Sequence, residues 1–276
     1  LIIGLFTFGS IDLWGHGEVM DYISLVDTTN SPIWLISLLA LFAVGIPFFV
    51  LFILGLKLLI DNLKSIGTPA KIVLLALWVL SIVGLGILGI QQATEQGFDG
   101  NSISENTLQV KASDTLRIAM RAHKQYSYDV SRQGGLKIEY DDNDEKVIYS
   151  NDIRLIVRHT RDSVGLITIK KKAQGNSLLD ARKRAEAINY NYSLESDNLF
   201  LNGFFTTDMA NKYRDQEVEL VLYLPVGTVL FADRNTYSFH KNSSRYDDIL
   251  NNGDEEYFLR ILENRTQCLD CKEDLD

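Results

Sequence analysis

Residues 33–56 read IWLISLLALFAVGIPFFVLFILGL, twenty-four positions without a charge, and residues 72–90 form a second uncharged run. At 1.5 Å rise per residue these runs span roughly 36 and 28 Å as helices. A bilayer's hydrocarbon core is about 30 Å thick, and only a helix satisfies its own backbone there. The pattern predicts two membrane-spanning helices, at about 32–57 and 70–91. Residues 1–9, LIIGLFTFG, are apolar, lack a charged leader and do not begin with Met. They read as the tail of a truncated helix rather than a secretory signal.

From about residue 99 the period changes to two. Polar turns are followed by apolar residues two apart: Leu108 and Val110, Leu116 and Ile118, Leu136 and Ile138, Ile153, Leu155 and Val157, Val164 and Leu166, Leu199 and Leu201. Clearest is 217–225, with Val218, Leu220, Leu222 and Leu224 on one side and Pro225-Val-Gly227 ending the strand. Such alternation marks half-buried strands. The spacing between phrases is irregular, which suits short strands stacked in a solenoid or two-walled arrangement better than a strict repeat. An immunoglobulin-like sandwich is the rival, but no Trp follows Trp78 and no Cys…Trp…Cys core exists. One stretch resists β structure. Residues 177–187 carry Ser177 as an N-cap and set Leu178, Ala181, Ala185 and Ile188 on one helical face. The expected class is a membrane helical hairpin (1–92), a mainly-β external domain with one short helix (99–265) and a C-terminal tail (266–276).

Charge orients the chain. Lys57, Lys64 and Lys71 lie with Asp61 between or beside the two spans, whereas residues 10–31 hold four acids and no Lys or Arg. The positive-inside rule therefore places 58–70 in the cytoplasm and the β domain outside. On this reading an N-terminal segment beginning in the cytoplasm precedes Leu1. The full chain carries −9, and the 31 acids and 24 bases after residue 92 leave the external part at about −7. An acidic outer domain argues against nucleic acid as its partner. Mean hydropathy is near zero only because two unlike halves are averaged.

The stretch from Asp152 to Cys271 resembles the C-terminal part of bacterial phage-shock-protein C (PspC) family membrane proteins. The resemblance rests on Ile169-Lys-Lys-Lys-Ala173-Gln-Gly175, Ala181-Arg-Lys-Arg-Ala185 with Ile188-Asn-Tyr190, and Tyr213-Arg-Asp-Gln-Glu-Val218. It continues through Leu222-Tyr-Leu-Pro-Val-Gly-Thr228, Asn251-Asn-Gly-Asp-Glu-Glu256 and Cys268-Leu-Asp-Cys271. The preceding hairpin is similar to that family's transmembrane region. The resemblance implies a "toast-rack" external domain of stacked short β-hairpins forming two walls. It also implies an N-terminal cytoplasmic PspC domain, not contained in this sequence, and a role in sensing envelope stress rather than in catalysis.

Candidate chemistry is sparse. Cys268 and Cys271 form a C-x-x-C. It reads as a redox dithiol, as half of a zinc site, or as a tail with a short-range or intermolecular disulfide. Neighbouring Asp270, Glu273 and Asp274 would raise thiol pKa values, which disfavours the first. His16, His123, His159 and His240 are scattered, and none lies in a known catalytic motif. Asp141-Asp-Asn-Asp-Glu145 lacks the alternate ligand positions of an EF-hand and reads as a hairpin turn. Lys170, Lys171, Lys172, Arg182, Lys183 and Arg184 make a candidate basic patch for lipid head groups or a phosphorylated glycan. Gly84, Gly86 and Gly89 make a candidate helix-packing face, and Pro47 is expected only to kink the first span.

No cofactor is expected. The functional expectation is a non-enzymatic envelope-stress sensor, regulator or scaffold, integral to the bacterial inner membrane. Its periplasmic β domain binds an envelope partner or forms a homo-oligomer. The alternative is a membrane-tethered redox or metal protein using Cys268 and Cys271.

Overall fold

The computed structural model describes residues 21–22, 25–26, 31–60, 67–123, 130–132, 135–240 and 248–271. The apolar stretch 1–9, His16 and Lys64 lie outside these residues. The chain divides into two compact units, Leu1–Gln96 and Gly97–Asp276.

The first unit contains two 27-residue helices, α1 (Ile33–Leu59) and α2 (Thr68–Thr94), both long and apolar enough to cross a membrane. Each outlasts its uncharged run by a few residues, because nothing in the flanking sequence stops the helix earlier. Leu39 meets Gly84 and Ala43 meets Trp78, so the two helices pack antiparallel. Pro47 lies inside α1. It has no N–H, so the carbonyl four residues earlier, that of Ala43, loses its helical donor. The Trp78 indole Nε1–H on α2 donates to that carbonyl at 3.1 Å. An orphaned carbonyl is costly in hydrocarbon. The Pro–Trp pairing turns a helix defect into an interhelical bond. Buried Ser81 closes its own demand on the Trp78 carbonyl at 2.7 Å.

Among the described residues the second unit contains thirteen strands. In chain order these are β1 (Phe98–Leu108), β2 (Thr115–Arg121), β3 (Leu136–Tyr140), β4 (Lys146–Ser150), β5 (Ile153–Thr160) and β6 (Gly165–Gly175). Helix α3 (Leu178–Glu186) follows, then β7 (Tyr192–Glu195), β8 (Asn198–Asn202), β9 (Phe205–Asp208), β10 (Glu217–Pro225), β11 (Val229–Ala232), β12 (Phe258–Leu262) and β13 (Arg265–Cys268). They form two walls and a small flap. One wall has the order β1-β6-β10-β5, the other β13-β12-β11-β2-β8-β7, and the flap β3-β4-β9. The inward residues of both walls make one core. Ile153, Leu155, Val157, Ile167, Ile169, Val218, Leu220, Leu222 and Leu224 come from the four-stranded wall. Leu116, Ile118, Met120, Leu199, Leu201, Leu230, Leu259 and Ile261 come from the six-stranded one. Leu108 and Val110 belong to this core too, but four of the period-two positions, Leu136, Ile138, Val164 and Leu166, do not. The first two lie on the flap, and the register of β6 turns Ile167 and Ile169 inward instead of Leu166.

The chain passes from the four-stranded to the six-stranded wall three times, from β1 to β2, from β6 through α3 to β7, and from β10 to β11. In the six-stranded wall β11 and β8 both run parallel to β2. At the β10–β11 crossing Gly227 takes φ +100°, and a Cβ there would come 3.0 Å from the Ala112 carbonyl oxygen of the β1–β2 crossing. Parallel neighbours of this kind are what successive coils of a solenoid produce. Hairpins β3–β4, β7–β8 and β12–β13 fill in between.

Helix α3 forms where the sequence predicts it. Ser177 Oγ accepts from the Asp180 N–H as N-cap, and Ala181, Ala185 and Ile188 are buried. Leu178 is not; in the first turn it points away from the sheet and is 67% exposed. The helix lies directly on β1 and β6, because those strands present Gly100 and Gly175 to it. A Cβ on either would stand 2.4–2.5 Å from α3 backbone atoms. The sheet also continues through Arg265–Cys268, into the segment read from sequence as a tail, since β13 pairs with β12 over four residues.

Candidate functional site

The six cations that the sequence groups together do not form one patch. Outward positions of β6 alternate as Leu166, Thr168, Lys170, Lys172 and Gln174, and Lys171 points inward. Lys171 Nζ donates to the Ile188 carbonyl at 2.6 Å, and burial holds its pKa below the ordinary lysine value. Lys172 Nζ lies 2.8 Å from Glu219 and 3.4 Å from Glu217 on the neighbouring β10. Arg154 on β5 approaches the same two glutamates at 3.3 and 3.9 Å from the other side. Burial, the largest single influence, pulls Lys172 down and Glu219 up, but their mutual bond together with the charges of Glu217, Lys170 and Arg154 outweighs it, so Lys172 ends above and Glu219 below the usual value. Arg184 bonds Asp180 at 2.9 Å and the Asn211 carbonyl at 2.6 Å, which clamps α3. Only Arg182 and Lys183 point freely into solvent on the helix. The outer face of the four-stranded wall is thus a charge-balanced ladder that joins three strands.

The outer face of the six-stranded wall has a different balance. Register places Phe258, Phe231 and Arg117 in one row across β12, β11 and β2. The Arg117 guanidinium carbon sits 5.1 Å from the Phe231 ring centroid and 5.7 Å from that of Phe258, and the two rings are 5.0 Å apart. One row over, Arg121 lies 3.5 Å above Phe200 and pairs with Glu195 at 3.0 Å. Arg260 and Arg265 also project from this face, by the alternation of β12 and by register with Leu262. This surface is not visible in the sequence because its residues come from six strands, each contributing one or two. Arg and Phe at outward positions two apart were the available signal.

A third cluster is buried. His240 Nε2 lies 2.6 Å from Glu255 Oε1, with both side chains out of solvent. Burial lowers the His240 pKa, against the pull of Glu255, Asn252 and Asp254. Asp248 Oδ1 accepts from the Val157 and Leu250 N–H groups, each at 3.1 Å, while Oδ2 is buried without a hydrogen-bond partner among the described residues. Burial raises the Asp248 pKa to about 6, against those bonds and Arg158.

The remaining candidates resolve as follows. Cys268 and Cys271 are joined in a disulfide, so neither thiol is available as a nucleophile or a zinc ligand in this state. Asp141–Glu145 is the β3–β4 turn. Asp141 Oδ1 accepts from the Glu145 and Asn143 N–H groups, which hold its carboxyl below the usual range. Among the described residues no group of three His, Cys, Asp or Glu side chains is arranged to hold a metal. His123 stacks edge-on against Phe204 at 4.9 Å, and His159 Nδ1 accepts from the Asn264 N–H at 3.3 Å. Of the glycine trio, Gly84 packs on Leu39 within the hairpin. A Cβ on Gly86 or Gly89 would meet nothing within 4 Å, so the three do not share one packed face.

Comparison with known proteins gives two family matches. Residues 1–96 match the PspC transmembrane region, and residues 139–274 match the toast-rack domain found in some PspC proteins. No curated protein and no solved structure matches. The antiparallel apolar hairpin and the two-walled β domain are the structural counterparts of those two regions. On this combination the chain belongs to the PspC family, as a membrane protein with a C-terminal toast-rack domain.

Proposed function

We propose that this chain is a non-enzymatic regulator of the envelope stress response. In this reading α1 and α2 anchor it in the bacterial inner membrane with residues 58–70 cytoplasmic. The β domain stands in the periplasm, where it engages an envelope component or a second copy of itself. The observation that carries the reading is β1. Three residues separate it from the end of α2, and among the described residues it pairs on one side only, with β6, over eleven residues without a bulge. Eight of its eleven residues are exposed, and it has no Pro, Lys or Arg to blunt the open edge. A long unprotected edge suits assembly more than catalysis.

The test compares stress-response reporter output in bacterial cells that produce the full chain with output in cells that produce a chain ending at Gln96. A regulator read through its β domain changes reporter output only when the domain is present. Equal output from both chains overturns the reading. The redox alternative makes the opposite demand on the cysteines. Cys268→Ser with Cys271→Ser leaves the reporter response intact if the disulfide is structural and abolishes it if the dithiol is the working group.

A further inference from the structure

We infer that the outer face of the six-stranded wall binds an acidic polysaccharide. The inference deepens the reading above by naming the ligand, and it rests on that reading for its periplasmic setting. Four arginines, Arg117, Arg121, Arg260 and Arg265, project from this face, and Glu195 is the one acid on its strands. Nearby acids belong to strand ends and turns; Asp197, in the β7–β8 turn, lies beside the Arg117 row, and three others have partners elsewhere. Glu263 pairs with Arg161, Glu256 faces Arg234, and Asp270 accepts from the Phe258 N–H. The surrounding domain carries about −7, so this excess of cations is a local reversal of sign.

The side chains of Arg117, Arg260 and Arg265 make no hydrogen bond or ion pair among the described residues, whereas those of most arginines elsewhere in the domain are engaged. Arg117 lies over Phe231 and Phe258, which orients the guanidinium and leaves its N–H edge for an anion. A guanidinium so held offers a bidentate fork matched to carboxylate or phosphate. The cations sit on β13, β12 and β2. With strands about 4.8 Å apart, a linear chain lying across them meets a positive charge every one or two strands. The half-exposed rings of Phe200, Phe231 and Phe258 supply flat apolar surface between the charges. A ligand that uses both features has regularly spaced anions and ring faces. An acidic peptide matches the charges, but peptides are read by sheet edges and grooves, not by flat faces.

The experiment uses the full chain in zwitterionic-lipid nanodiscs and measures binding by calorimetry with four probes: polygalacturonate, neutral dextran, polyglutamate and oligo-deoxythymidylate. Polygalacturonate is expected to bind in a salt-sensitive manner and dextran not at all. Polyglutamate and the oligonucleotide are expected to bind at least about ten-fold more weakly than polygalacturonate. Arg117→Ala with Arg260→Ala should weaken polygalacturonate by about ten-fold or more, and the Lys versions of both should recover only part of it. An unchanged melting temperature shows that each variant is folded. Four results overturn the proposal: no polygalacturonate binding, equal binding of polyglutamate, tighter binding of the oligonucleotide, or indifference to the arginine changes. If the reporter still depends on the β domain while polygalacturonate fails, only the ligand assignment falls.

Discussion

At the residue scale the least comfortable group is Asp248. Its carboxyl is held by two backbone N–H groups on one oxygen and by nothing among the described residues on the other, within a mostly buried site. Burial raises its folded pKa from 3.8 to about 6. Between those values the folded state holds a proton that the unfolded chain releases, so stability from this group falls as pH rises through the window. Above pH 6 the ionised carboxyl costs about 3 kcal/mol. Asp248→Asn keeps the acceptor oxygen and removes the ionisation. The variant's stability advantage over the parent should grow from pH 4 to 6 and then level off, as followed by thermal unfolding of the full chain. The depressed pKa of His240 acts with the opposite sign, since protonation at lower pH favours the unfolded state. That contribution is common to both proteins and drops out of the difference. A constant difference across the window would mean that Asp248 is not the titrating group.

Among the elements, the helical hairpin shows how a local defect becomes a tertiary contact. Pro47 removes one helical bond from α1, and Trp78 on α2 supplies the missing donor. Trp78→Phe should destabilise the hairpin by about 1 kcal/mol, a value typical of interhelical bonds in membranes. In the Pro47→Ala background, where the backbone N–H returns, the same change should cost less. A double-mutant cycle on full-chain unfolding in detergent reads the coupling, and additive costs would show that the bond does not span the two helices. The sequence made both helices plain, because charge-free runs of that length have one reading in lipid. It could not show the Pro47–Trp78 pairing, which depends on helix register. The strands of the β core were legible where one face is apolar, as from Val218 to Leu224. β1 was visible only from Asn106 onward, since the rest of it buries little and is held by backbone pairing with β6. The basic segments were visible as charges. Their partners were not, because Lys172 and Glu219 are 47 positions apart and meet only through strand order.

For the molecule as a whole, the open edge of β1 is the feature that needs an occupant. Protein strands of this length at a sheet edge are usually shielded by charge, Pro or a bulge, and here Asp99 and Glu105 are the only charges in eleven positions. Membrane anchoring confines every copy to a surface in a common orientation, which raises the effective concentration of one edge at another. Pairing of two β1 edges would extend the four-stranded wall into a second copy through a self-complementary, two-fold interface. The disulfide has no part in this. Cys268 and Cys271 pair within one chain, on an edge of the other wall. The full chain in detergent is therefore expected to run as a dimer by light scattering, with the same mass in reductant. Asn101→Glu with Ile103→Glu places acids on outward positions of β1 that face Lys172 and Lys170 within the chain but repel one another across a β1–β1 pair. These two changes should shift the dimer to monomer and weaken association by about ten-fold or more, with the melting temperature of the β domain not lowered. A wild-type monomer, or a dimer indifferent to both glutamates, would remove β1 as the assembly edge. A dimer lost in reductant would move the assembly role to the cysteines.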